Sequence, residues 1–168
     1  NYASLMRLPV IFVCENNGYS VYTNLENRQP DRPMKTIAKA HGWEVGSGNG
    51  NDLNQVVEIS RQAVSRLKAN KCPQFLEFET YRWVEHCGPN NDDHLDYRPA
   101  EEVASWKKKC PVQQMETRLL SEKIITSEDL DLYHGSIMDE IESGFKFALA
   151  SPFPSPESLY QFSNEDTL

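Results

Sequence analysis

Three oxygen-bearing side chains, Glu15, Asn16 and Asn17, stand directly after the apolar run Val10-Ile11-Phe12-Val13-Cys14, and Gly18 follows them. A carboxamide offers a neutral oxygen suited to a hard cation such as Mg²⁺, and a glycine lets the backbone turn so that a main-chain carbonyl offers a second. Asn-Asn-Gly is equally compatible with an ordinary turn. A second chemically loaded stretch is Tyr81 to His86, which follows Gln74-Phe75-Leu76-Glu77-Phe78-Glu79. Arg82 there can make forked hydrogen bonds to phosphate oxygens, and His86 can add a donor or move a proton near neutral pH. Ligand oxygens for Mg²⁺, a fixed cation and an imidazole are together what a diphosphate requires. Arg82 in a surface ion pair and His86 as a plain loop residue fit the spacing as well. His86, Cys87 and His94 match none of the common zinc spacings.

Bringing these groups together requires a particular scaffold. The Val10–Cys14 run is short, continuous and bounded by Pro9, which predicts a strand buried on both faces of a parallel sheet. Gln74 to Tyr81 alternates with period two after Pro73 and reads as another strand. Between them, Lys35–His41 with Gly42 reads as a short helix, Trp43–Gly46 as a brief strand, and Thr23–Pro33 as a surface loop. Leu53, Val56, Val57, Ser60, Ala63, Val64 and Leu67 recur at three and four, predicting an amphipathic helix to about Lys68, with Asp52 and Gln55 as a capping box. Strand, helix, strand is the parallel α/β pattern, so the fold class is α/β, a parallel sheet flanked by helices with a helical carboxyl-terminal region. If the two strands run parallel, Asn16, Asn17 and Tyr19 share one rim of the sheet with Arg82 and His86, at the carboxyl ends where open α/β sheets hold ligands.

Arg82–Asp96 has neither period and reads as a long loop, of the kind that is functional or disordered. Helices are expected from Pro99 through Trp106, over Val112–Ile124, and from a Thr126/Asp129 capping box through Ala148. The Pro-rich segment 151–156 ends that helix, and Leu159-Tyr160-Gln161-Phe162 is expected to dock as an extended arm, so residues 1–150 form one α/β domain and 151–168 an arm. Asn1–Arg7 reads as the last turns of a helix, as though the chain began within an element of a longer polypeptide.

The composition excludes several classes. A chain of 168 residues that is 39% hydrophobic can fill one domain. With 17 Lys+Arg against 25 Asp+Glu, the net charge is −8 and no basic run exists, which argues against a nucleic-acid partner. No apolar stretch approaches the roughly 20 residues of a membrane-spanning helix, and no signal peptide opens the chain, so a soluble cytoplasmic protein is expected. Cys14, Cys72, Cys87 and Cys110 are scattered without a Cys-x-x-Cys pair, so reduced thiols are expected.

The stretch from Asn1 through Glu15-Asn16-Asn17-Gly18-Tyr19-Ser20 resembles the second half of the thiamine diphosphate motif in alpha subunits of 2-oxo-acid dehydrogenase decarboxylase components. Tyr81–His86, Tyr97-Arg98-Pro99-Ala100-Glu101-Glu102 and the helical end continue the likeness in matching order. The resemblance implies a thiamine diphosphate-binding fold. It implies Mg²⁺ held by the Asn17 carboxamide and the Tyr19 main-chain carbonyl, and Arg82 and His86 facing the cofactor diphosphate, with His86 as the catalytic residue of acyl transfer. It further implies a 2-oxo-acid substrate, a beta subunit supplying the rest of the site in a heterotetramer, and a lipoyl-carrying acyltransferase as acceptor.

The sequence departs from that family in three places. The Gly-Asp-Gly that opens the family motif, and carries its first metal carboxylate, is not in the chain. The usual Gly-His-Ser reads Glu85-His86-Cys87, placing a carboxylate beside the expected diphosphate, where it repels phosphate unless turned away or paired with Arg82 or His86. Cys87 and Asp96 stand where some members carry regulatory serines, so no kinase control through this loop is expected. Two other readings stand beside the dehydrogenase: a carboligase or decarboxylase of sugar or secondary metabolism with no lipoyl acceptor, and a noncatalytic assembly module.

Overall fold

The computed structural model of the chain describes residues 1–160. A short helix, α1 (Tyr2–Leu5), leads into β1 (Ile11–Asn16), which ends where the apolar run gives way to Asn17-Gly18. A small antiparallel hairpin follows, β2 (Tyr19–Ser20) against β3 (Thr23–Asn24). The helix α2 (Met34–Ala40) is stopped by Gly42 at φ 78°, a left-handed conformation open to glycine without steric cost. Then come β4 (Glu44–Asn49), α3 (Leu53–Asn70) and β5 (Gln74–Glu79), followed by α4 (Ala100–Lys107), α5 (Pro111–Ser121) and α6 (Ser127–Ala150). Contacts divide the chain into two compact units, Asn1–Arg118 and a second from Leu119 onward, with α5 carrying the chain from one into the other.

The first unit is a strand-helix sandwich around a parallel three-stranded sheet in the order β1-β5-β4. The architecture is the expected one, a parallel sheet flanked by helices with a helical carboxyl-terminal region. Asp52 caps α3 by accepting from the Asn54 and Gln55 main-chain N–H groups at 3.0 and 3.2 Å. Ala63 of α3 meets Leu76 and Phe78 of β5 in the core, with Ile11, Val56 and Ile59 packed around them. Gln74, wholly buried at the start of β5, is satisfied by Arg66 Nε and by the Cys72 carbonyl at 3.2 and 2.9 Å.

Two expectations are corrected. Among the described residues β1 is not covered on both faces: Phe12 and Val13 are 39% and 59% exposed, because, of this strand, Ile11 packs against the core between α3 and β5, while Phe12 stacks on Trp43 with ring centres 4.5 Å apart. On α3 the stripe facing the sheet is Val56, Ile59 and Ala63, while Leu53, Val57 and Val64 are exposed. The glycines of β4 explain this rotation. A Cβ on Gly48 would lie 2.5 Å from Ile59 Cδ1, and one on Gly46 would lie 2.9 Å from Ile59 Cγ2, so Ile59 fills a groove that only glycine leaves open. Gly48→Ala is therefore expected to lower stability by about 1–3 kcal/mol through overpacking. Urea denaturation reads the loss, and Ile59→Val in the same chain should restore part of it; an unchanged midpoint would contradict this packing.

In the second unit, α6 opens with the expected capping box: Asp129 N–H donates to Thr126 Oγ1 at 3.2 Å and Thr126 N–H to Asp129 Oδ2 at 2.8 Å. The Pro-rich segment leaves the helix at Ser151 and makes a single 3-10 turn over Pro156–Tyr160, whereas Gln161 and Phe162 of the expected arm lie outside the described residues. Among the described residues no helix is long and apolar enough to cross a membrane, and all four cysteines are unpaired.

Candidate functional site

The parallel register brings three strand ends into line: Asn16 of β1 sits opposite Glu79 of β5, which sits opposite Asn49 of β4. The Thr80 N–H donates to the Asn16 carbonyl at 3.0 Å and the Gly50 N–H to the Glu79 carbonyl at 2.7 Å, so the rim is bonded across its width. Every loop that leaves this rim therefore starts from one edge, as the sequence requires for a shared site.

At the first loop, two successive carboxamides shape the backbone. Asn16 Oδ1 accepts from the Gly18 N–H at 3.1 Å and Asn17 Oδ1 from the Tyr19 N–H at 2.9 Å, while Gly18 turns at φ 75°. Each carboxamide oxygen keeps a second lone pair. Asn16 Nδ2 also donates to Glu77 Oε1 at 2.9 Å. The Tyr19 ring lies edge-on to Tyr81 and Tyr97, and its hydroxyl donates to the Glu102 carboxylate at 3.1 Å. Tyr81 in turn stacks on Trp106 with the rings 5.3 Å apart.

These residues enclose a cleft of about 280 Å³ on the rim, walled by Tyr19, Tyr81 and Trp106 and floored by Asn16 and Asn17. A second cleft of about 460 Å³ shares Asn16 and Glu79 and extends past Ser47 to Asn49. Glu26, Glu79 and Glu102 line the first, Glu77 and Glu79 the second, and no Lys or Arg lines either. Such walls attract a cation and repel a bare phosphate. Burial raises the Tyr19 and Tyr81 phenols above their usual range, with Glu102 adding to both, so both stay neutral. A larger open groove of about 570 Å³ along α3, from Val56 to Lys68, contains none of the rim residues.

The second loop, between β5 and α4, is organised from inside by Arg98. Its Nη2 donates to Asp92 Oδ1 at 2.7 Å, to Asp93 Oδ1 at 3.0 Å and to the Trp83 carbonyl at 3.2 Å, and its Nη1 donates to the Arg82 carbonyl. The guanidinium carbon also sits 5.0 Å from the Tyr97 ring centre. Hydrogen bonding from Asn91, together with Arg98 and Lys107, holds the Asp93 carboxyl below its ordinary range. A depressed folded-state value stabilises the loop above the unfolded pKa of about 3.9 and ceases to do so as pH falls through the lower folded value. The protection of residues 90–98 against amide exchange, taken relative to the intrinsic rate at each pH, is thus expected to fall on acidification below that point, and Asp93→Asn should flatten the response.

Of the residues singled out from sequence, Asn17, Tyr19 and Arg82 lie on one rim. Arg82 Nη2 donates to the Val21 carbonyl of the first loop at 2.8 Å and to the Tyr97 hydroxyl at 2.9 Å, tying the two loops directly. His86 leaves from the same loop as Arg82 but is exposed, and among the described residues its ring has no hydrogen-bond partner. Glu85 pairs with neither Arg82 nor His86. It folds back on its own loop and accepts from Asn90 Nδ2 at 2.7 Å, passing over Gly88, where a Cβ would lie 2.3 Å from Glu85 Oε1. The roles of Asp92, Tyr81, Glu102 and Trp106 were not legible in the sequence; the one available signal was the Asp92-Asp93 pair a few residues before Tyr97-Arg98.

The family model described as "Dehydrogenase E1 component" matches residues 1–157. The chain is 31% identical over 160 residues to the pyruvate dehydrogenase E1 component subunit alpha of Rickettsia typhi, a match covering 95% of the chain and 48% of that protein. It is 32% identical over 161 residues to the mitochondrial form from Dictyostelium discoideum, covering 95% and 42%. With the testis-specific mitochondrial form of Rattus norvegicus it shares 29% over 164 residues, covering 96% and 41%. The chain spans about half the length of the curated relatives it matches. On these matches, over nearly its whole described length, the chain belongs to the dehydrogenase E1 component family.

Proposed function

We propose that the chain is the diphosphate-holding part of a thiamine diphosphate-dependent 2-oxo-acid dehydrogenase alpha subunit, acting with a beta subunit and passing an acyl group to a lipoyl carrier. The observation that carries this reading is the rim itself: β1 and β5 are adjacent and parallel, and Arg82 on the loop after β5 bonds to Val21 on the loop after β1. The names of the relatives, pyruvate dehydrogenase E1 component subunit alpha, support the reaction class.

The residues present suit a Mg²⁺-diphosphate better than a metal held by protein alone. Asn17 offers a carboxamide oxygen already oriented by the Tyr19 N–H, beside clefts lined with carboxylates. Among the described residues no group of three or more His, Cys, Asp or Glu side chains could hold a metal. Mg²⁺ commonly keeps waters and takes its remaining oxygens from one or two carboxylates and from phosphates, which matches a partial protein set. In this reading Asn17 and the Tyr19 carbonyl hold the ion, and the Tyr19, Tyr81 and Trp106 rings wall the cleft beside it. His86, with no hydrogen-bond partner among the described residues, is available to donate to a phosphate oxygen or to carry a proton in acyl transfer. Thiamine diphosphate, when bound, supplies the carbanion chemistry of decarboxylation.

Calorimetric titration of the natural full-length protein, purified with its own partner subunit, tests the reading. Binding of thiamine diphosphate that requires Mg²⁺ is expected, together with release of CO₂ from a 2-oxo acid. Absence of binding at millimolar cofactor with Mg²⁺ present would overturn it.

A further inference from the structure

We infer that Asn51, in the turn between β4 and α3, is a positioning residue for the cleft: it clasps the corner after α4 and so holds Glu102 and Trp106 against the candidate metal turn. The inference rests on the proposed cofactor site.

The turn that carries Asn51 is fixed to the rim by close approach. Gly50 N–H donates to the Glu79 carbonyl at 2.7 Å, and a Cβ on Gly50 would lie 2.5 Å from Thr80 Cγ2 and 2.8 Å from that carbonyl oxygen, so only glycine lets the chain pass here. Asn51 comes next and is 7% exposed. Its main-chain N–H donates to Asn49 Oδ1 at 2.9 Å, and its Nδ2 donates to the Lys109 carbonyl at 2.8 Å, 58 residues further along the chain. A buried amide requires such an acceptor, and this one lies at the corner between α4 and α5.

The helix before that corner has few apolar anchors. Only Val103 of α4 is buried, with Cys110 at the corner behind it. Two further ties of α4 are to the cleft: the Glu102 carboxylate accepts from the Tyr19 hydroxyl at 3.1 Å, and Trp106 stacks on Tyr81 with the ring planes 6° apart. Lys109 N–H donates to the Trp106 carbonyl at 2.9 Å and Lys109 Nζ lies 4.6 Å from the Trp106 ring centre, so the clasped residue and the cleft wall share one turn. Releasing the Lys109 carbonyl therefore frees the turn that carries Trp106. Tyr81 then loses its stacking neighbour, and Tyr19, edge-on to Tyr81 and two residues after Asn17, loses support beside the metal turn. The core of Ala63, Leu76 and Phe78 does not depend on the clasp, so its loss misplaces α4 without unfolding the sheet.

Asn51→Leu and Asn51→Asp in the natural full-length protein, purified with its partner subunit, test the clasp. Both lack the donor, and the second keeps the shape of the side chain. Without cofactor, the protection of residues 100–110 against amide exchange, relative to the intrinsic rate, is expected to fall about tenfold in both. With α4 in place about one-tenth of the time, the apparent KM for thiamine diphosphate with Mg²⁺ rises about tenfold, while kcat at saturating cofactor stays within about twofold of wild type, because bound ligand draws the helix back. A purely structural residue would instead lower the active fraction, and kcat with it, and leave KM alone. That result would overturn the inference, as would wild-type protection over 100–110 or failure of both variants to fold. Trp106→Leu should also raise KM, and the Asn51→Leu/Trp106→Leu double variant should bind more tightly than the product of the two single losses requires; full additivity would mean that Asn51 does not act through Trp106 and would overturn the inference too. If wild-type protein fails to bind the cofactor at all, the site reading falls, while the cofactor-free exchange still decides the clasp.

Discussion

Arg98→Met is expected to weaken the loop between β5 and α4 by about 3–5 kcal/mol, the range for removing one partner of a buried ion pair. Arg98 is 5% exposed and Asp92 1%, with Nη2 and Oδ1 2.7 Å apart. Without the guanidinium, Asp92 is left as a buried charge with only the Tyr97 hydroxyl, and the Arg82 and Trp83 carbonyls each lose a donor. The loss should appear first as local opening, because the loop lies outside the sheet core of Leu76 and Phe78 and can open without unfolding it. Amide exchange over residues 82–98 is the suitable measurement. Lys107→Met serves as the contrast: Lys107 Nζ is 3.6 Å from Asp93 Oδ2 with both side chains partly exposed, so less than about 1 kcal/mol is expected. Combining Arg98→Met with Asp92→Leu should recover much of the loss by removing the stranded charge. Equal effects from the Arg98 and Lys107 replacements would show that burial does not decide the strength of these pairs.

What the sequence disclosed and what it withheld divide along physical lines. Elements whose pattern is local were legible: the strand at Gln74–Glu79 from its alternation, α3 from its three-and-four spacing, the start of α6 from Thr126 and Asp129. The rim followed from them, because helix between strands implies parallel strands and parallel strands share an end. Which face of α3 turns inward was not legible from hydrophobicity alone. It depends on a groove made by Gly46 and Gly48 on another element, and Ile59, which fills it, exceeds the exposed Val57 and Val64 by a single methylene, too small a difference to select the face. The covering of β1 was not legible for a similar reason, since what packs on a strand's faces is set by other elements and leaves no mark on the strand's own residues. In the candidate site, residue types pointed to Asn17, Tyr19, Arg82 and His86. The direction of each side chain was set by partners distant in sequence: Val21 and Tyr97 for Arg82, Glu102 for Tyr19, Asn90 for Glu85. Arg98 entered the sequence reading only as part of the Tyr97–Glu102 likeness, although it is the group around which that loop is built.

Asn17→Ala is expected to raise the Kd for thiamine diphosphate with Mg²⁺ by roughly 100-fold or more, since even outer-shell partners of a metal are worth about 10–100-fold. The substitution removes two things at once, an oxygen for the ion and the acceptor that holds the Tyr19 N–H at 2.9 Å. Ligand-linked stability separates them. At a cofactor concentration 100 times the wild-type Kd, binding stabilises the native state by about 2.7 kcal/mol, and a 100-fold weaker site retains about 0.4 kcal/mol of it. Loss of the turn alone instead lowers the stability of the cofactor-free protein, by about 1 kcal/mol, and leaves the increment on adding ligand largely intact. Asn17→Asp keeps an oxygen at the same place and can still accept from Tyr19, so it should preserve the turn and retain Mg²⁺-dependent binding. Asn17→Ala that keeps the full Mg²⁺-dependent increment would confine this carboxamide to shaping the backbone, and the ion's protein oxygens would then have to be sought among the rim carboxylates Glu77, Glu79 and Glu102.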